Sequence, residues 1–113
     1  MIDWVRVAEL RDEVGEDAFA EVVGLFLEEV DASIAQLRPD LGDEELAAEF
    51  HSLKGAALNL GLRDMSALCG AAEARAGART PDPDDVSEVA ACYAQSRRVF
   101  VAGLSERFGL DAA

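Results

Sequence analysis

Residues 50–61 read FHSLKGAALNLG, placing the chain's one histidine at 51, a lysine at 54 and a glycine at 55. These residue types at this spacing have a chemistry open to them. An unprotonated imidazole nitrogen is a nucleophile near neutral pH, the free ring titrating at about 6.5, and its attack on a phosphoryl group gives a phosphoimidazole. The new oxygens are anionic. An ammonium one helical turn away offsets charge on the transferring group and on the product, which is most of what a protein can contribute to such a transfer. A missing side chain four residues after the histidine opens a gap beside the ring for a bulky reactant, such as another protein's active site.

That chemistry requires His51, Lys54 and Gly55 to share the outward side of one helix. At about 100° per residue, with Leu46 at zero, Phe50, Leu53, Ala57 and Leu60 fall within roughly 40° on either side and form a core stripe. Lys54, Leu58, His51 and Gly55 fall between about 80° and 180° by the same geometry. Glycine inside a helix costs about 0.5–1 kcal/mol relative to alanine, and the sequence uses alanine freely next door, at positions 56 and 57. Ala47, Ala48, Leu58 and Leu62 are the small or apolar residues expected to line a docking surface around the histidine. The residues alone leave two readings open: a surface histidine beside a lysine, and a phosphoryl acceptor.

The remaining elements also read as helices. Asp3 is placed to cap a short first helix carrying Trp4, Val7, Leu10 and Val14, ended by Gly15 in a left-handed conformation. From Asp17 the apolar positions Phe19, Val22, Val23, Phe26, Val30, Ile34 and Leu37 advance in threes and fours until Pro39. Asp43 is the expected cap of the third helix, with Glu44 and Glu45 favoured in its first turn by the dipole. Gly61 closes that helix, Leu62 folds back on its end, and Asp64 caps the fourth after a very short turn. The fourth helix buries Met65, Leu68, Cys69, Ala72 and Ala76 until ARTPDPDD breaks it. A last helix, with Asp82 as cap and Pro83 at its first position, continues through Val86, Val89, Tyr93, Phe100 and Leu104. Strand signals are absent. The expected fold is all-α: an antiparallel four-helix bundle with a short additional N-terminal helix, one domain over residues 1–113.

Composition narrows the functions. The 113 residues suffice to bury a core without staples. A formal net charge of −13 repels a phosphate backbone, and the ten basic residues do not cluster, which argues against nucleic-acid binding. No apolar run approaches the ~20 residues of a membrane span. The N-terminal MIDWVRVAELRDEV has neither a basic leader nor an apolar signal core, so a cytoplasmic protein is expected. Cys69 and Cys92 are too far apart to chelate, no second histidine offers a zinc spacing, and both read as buried small hydrophobes.

HSLKGAALNLG resembles the signature of histidine-containing phosphotransfer (HPt) domains, in which histidine, an arbitrary residue, an apolar residue, lysine and glycine precede small residues and a later glycine. DEVGEDAFAEVVGLFLEEV is similar to the family's first-to-second helix passage, and LRDMSALCGAAEARAG to its next helix. The resemblance implies His51 as phosphoacceptor, Lys54 as the phosphate-stabilising cation, Gly55 as the gap admitting a receiver's aspartyl phosphate, and Asn59 as a local hydrogen-bonding residue. Phe50 departs from the alanine common before the family's histidine and is expected to alter packing rather than chemistry. The family passes phosphoryl groups between the receiver of a hybrid kinase and that of a response regulator, or accepts them from a kinase domain, without binding ATP. No cofactor of the chain's own follows; any Mg2+ belongs to the partner receiver. A monomer is expected, its stripes consumed by one bundle. The alternatives are a non-catalytic adaptor binding a receiver or kinase, which has no need of a nucleophile, and a detached kinase phosphoacceptor domain, which differs only in its phosphodonor.

Overall fold

The computed structural model describes residues 1–110; residues 111–113 of the expected domain lie outside them. The described residues form five helices and no strand: α1 (Trp4–Val14), α2 (Glu16–Gln36), α3 (Asp43–Leu60), α4 (Arg63–Gly77) and α5 (Asp85–Phe108). The molecule measures 43 × 21 × 21 Å. Two helix diameters of about 10 Å span each short direction, and the 24 residues of α5 rise about 36 Å along the long one.

Each helix buries one stripe. On α3 it comprises Leu46, Phe50, Leu53, Ala57 and Leu60, the residues that the 100° rotation brings together, and Phe50 points into the core as its periodicity requires. On α2, Phe19, Val23, Leu27 and Val30 are buried, while Val22, Phe26 and Ile34 flank them half-exposed. Leu27 was missing from the sequence-derived stripe. Fully burying such a side chain contributes about 1.5–3 kcal/mol, so these stripes supply the driving force for the bundle.

Several helix ends differ from expectation, each for a local reason. Asp3 does cap α1, its Oδ1 accepting from the Arg6 amide at 3.2 Å. Gly15 has the expected positive φ, +88°, but an extended ψ of 147° instead of a left-handed one; its carbonyl already accepts from Ala18 at 3.2 Å, so one residue ends α1 and opens α2. Helix α2 stops at Gln36, with Leu37 extended, short of Arg38, at which the ring of Pro39 disfavours helical geometry. Gly42, not Asp43, caps α3, and Leu62, not Asp64, occupies the cap of α4. Asp82 and Pro83 precede α5. The Asp82 side chain accepts from the Asp84 amide at 2.9 Å and its carbonyl from the Asp85 amide at 3.0 Å, a turn that delivers Asp85 to Arg75.

Two close fits position α1. Gly61 is left-handed, φ +74° and ψ 23°, and a Cβ there would lie 2.7 Å from the Asp3 carbonyl oxygen. The Asp3 amide donates to the Gly61 carbonyl at 2.8 Å and the Arg63 amide to that of Met1 at 3.1 Å; Ile2 and Leu62 form an isolated antiparallel bridge. At the other contact Trp4 stacks on Phe100 with centroids 6.0 Å apart, and a Cβ on Gly103 would lie 2.1 Å from Trp4 Cζ2. Gly103→Ala is expected to cost about 1–3 kcal/mol through this overpacking, read as a lower midpoint in urea denaturation followed by circular dichroism.

Asp85 is buried and pairs with Arg75, whose Nε lies 3.1 Å from Oδ2. The Arg75 hydrogen bond holds the Asp85 carboxyl below the ordinary aspartate range, against the opposing effect of burial, with help from the Asp82 amide. A depressed folded-state pKa contributes stability above the unfolded-state value and loses it as pH falls through the folded one. Asp85→Asn should therefore melt below the unsubstituted chain at pH 7, and the difference should close on acidification toward pH ~2.

Candidate functional site

The rotation that buries Leu53 and Ala57 turns His51, Lys54, Gly55 and Leu58 away from the core. The His51 side chain is 70% exposed. Its Nδ1 lies 2.9 Å from Oε2 of Glu73 on α4. An ionised carboxylate only accepts, so Nδ1 carries the proton, and in the neutral ring Nε2 bears the lone pair. Lys54 Nζ lies 2.8 Å from the other oxygen, Oε1. That oxygen is closed to solvent and has no hydrogen bond of good alignment, so the Lys54 contact acts as a charge pair. Lys54 above all, and then His51, hold the Glu73 carboxyl below its ordinary range, against the opposing effect of partial burial. Glu73 thus stays ionised and grips both side chains.

Beside this cluster the face is open. A Cβ at Gly55 would meet nothing within 4 Å. Leu58 is 57% exposed, Ala48 is exposed and Ala47 half-buried. Leu62 does not belong with them: it is 1% exposed, folded back under the end of α3 with its amide on the Ala57 carbonyl at 2.8 Å, and is not available to line the surface expected around His51. Asn59 hydrogen-bonds through its backbone, whose carbonyl accepts from Arg6 Nε at 3.2 Å. A depression of about 570 Å³ lies between the start of α3 and the end of α4, lined by Asp43, Glu44, Ala76 and Arg79, and excludes His51. His51 therefore sits on an open face, suited to a macromolecular partner. Among the described residues no cluster of metal-ligating side chains is present.

Glu73 was absent from the sequence-derived site. Its signal was positional: His51 lies eleven residues before Leu62 and Glu73 eleven after it. With so short a turn, two antiparallel helices bring equidistant residues opposite one another. Cys69, a turn before Glu73, is fully buried and Cys92 half-buried; both are free thiols. Burial pushes the Cys69 thiol up to about 12, so it stays neutral and inert beside the cluster.

The family model described as the Hpt domain matches residues 21–99, a span that includes all of α3 and α4. No curated protein and no solved structure matches the chain.

The carboxylate's hold on Nδ1 is separately measurable. Glu73→Ala should keep the helices, alanine being the best helix former, while the neutral His51 ring loses its preference for the Nδ1–H tautomer. Long-range 1H–15N correlation spectra of the neutral ring read the change, and an unaltered tautomer would show that Glu73 does not set it.

Proposed function

The chain belongs to the Hpt domain family, and from that premise we propose that it is a phosphocarrier in a multistep phosphorelay, with His51 as the phosphoacceptor. Hpt domains act in histidine phosphotransfer and engage receiver domains and histidine kinases. The observation that carries the assignment to His51 is the Glu73 carboxylate on Nδ1, which leaves Nε2 as the nucleophile, on a face where Gly55 leaves room for a reactant.

In the transfer, the Nε2 lone pair attacks the phosphorus of a receiver's aspartyl phosphate. The acyl P–O bond breaks and its electron pair returns to the aspartate carboxylate. The ring keeps its Nδ1 proton and becomes a cation facing Glu73, while the Lys54 ammonium is one turn from the anionic oxygens. Delivery to a second receiver reverses these steps. Ala47, Ala48 and Leu58 are the surface on which a receiver docks. The chain needs no nucleotide and no metal of its own; Mg2+ is held by the receiver. This reading takes the chain as a single cytoplasmic, monomeric domain, with α2–α5 as an antiparallel four-helix bundle and α1 packed at one end.

Incubated with a phosphorylated receiver, the chain should gain an acid-labile, alkali-stable phosphate that His51→Gln cannot acquire; a label persisting in that variant would refute the assignment. Lys54→Ala should slow transfer on the order of 10–100-fold, less than loss of an enclosed donor, with the bundle still folded and its thermal midpoint lowered modestly, because Glu73 loses its cation but keeps the His51 contact on its other oxygen. Gly55→Gln should block receiver-dependent labelling with helicity equal or higher. Unchanged transfer rates in Gly55→Gln would mean that the gap is not used.

A further inference from the structure

Helix α4 is rich in alanine yet places a glycine at 70, in its middle. Gly70 is not among the positive-φ residues, so backbone conformation does not call for it. What a side chain would meet is specific. Outside its own helix backbone and adjacent residues, a Cβ at Gly70 would have one neighbour within 4 Å, Lys54 Cδ at 3.5 Å.

This contact follows from the α3–α4 pairing. Lys54 lies eight residues before Leu62 and Gly70 eight after it, so the two are opposite one another. Helical side chains lean toward the N-terminus of their own helix; for Lys54 that direction runs toward the C-terminal half of α4, across Gly70 to Glu73. The stem lies along α4 with the side chain only 33% exposed, and the ammonium reaches Glu73 Oε1 at 2.8 Å. By contrast, Gly55 faces open space. The two glycines of the site have different tasks: one leaves room for a visitor, the other for a resident side chain.

We propose that Gly70 is a positioning residue for phosphoryl transfer, its bare surface forming the channel in which the Lys54 stem lies so that the ammonium is held on Glu73 beside His51. The proposal rests on the phosphotransfer reading above and adds to it a requirement on α4. A lysine free to rotate in water must be ordered at the moment of transfer, at a cost in side-chain entropy; a stem already laid in a channel has lost most of that freedom beforehand.

The test is a double-mutant cycle in single-turnover transfer from a phosphorylated receiver, with receiver affinity measured alongside. Gly70→Ala makes only ordinary contact at 3.5 Å and should transfer close to the unsubstituted rate. Gly70→Ile, branched at Cβ and held near one χ1 rotamer in a helix, adds two γ carbons next to the stem with little freedom to move them aside. It should slow transfer on the order of tenfold at unchanged receiver affinity, and cause no further slowing in a Lys54→Ala background. Should isoleucine unfold the bundle, as its thermal midpoint would reveal, Gly70→Leu takes its place. An unslowed Gly70→Ile, or equal slowing with and without Lys54, would overturn the proposal. Nuclear Overhauser contacts between Lys54 Hδ and Gly70 Hα test the channel without any transfer, and their absence would also overturn it. No labelling of the unsubstituted chain would defeat the phosphotransfer reading instead, and with it the role of the channel.

Discussion

The left-handed turn at Gly61 sets the register on which the site depends. It brings α4 back along α3 with only Gly61 and Leu62 between the helices, and with so little slack the two can pair in few ways. Opposite His51 stands Glu73, and opposite Lys54 stands Gly70. A side chain at 61 would collide with the Asp3 carbonyl, and the strain of positive φ would add to that collision. The glycine is therefore required twice over, by the helix it ends and by the segment laid across it. Turning α3 by one residue position, about 100°, would carry the apolar stripe out of the core as well as part the ion cluster, so the core and the site enforce the same alignment.

Charge at the site is balanced before any partner arrives. Glu73 is a carboxylate with one oxygen closed to solvent, and burying such a group is tolerable only beside a cation. Lys54 supplies it. On the proposed reading the same lysine meets the transferred phosphoryl group, and the resting arrangement holds that cation without leaving it loose. The chain as a whole carries a net charge of −13, which keeps it apart from other acidic surfaces.

How much of this was legible follows the distinction between local and long-range information. The α3 stripe, the outward placement of His51, Lys54 and Gly55, and the closing role of Gly61 all follow from positions along one helix, and periodicity suffices for them. Helix starts were less legible. Asp43, Asp64 and Asp82 have the right side chain to cap, but the cap is fixed by where the backbone enters the helix, and turns involving Gly42, Leu62 and Asp84 moved each start. Leu62 shows the limit for surfaces: next to a turn it reads equally as docking residue or core, and only the fold-back onto Ala57 decides. Glu73 and the buried Asp85 are the long-range cases. Nothing near either in sequence marks it; each acquires meaning from a residue on another element, and only the helix register brings those together.

The packing of Trp4 has a consequence for observing this protein. It is the one tryptophan in the chain, stacked on Phe100, with the Arg107 guanidinium 4.5 Å from its ring centroid. Its indole emission is thus an optical label already built in at the contact between α1 and α5, away from the α3–α4 cluster. Light from that one ring tells when α1 lifts off, separately from whatever happens at the imidazole.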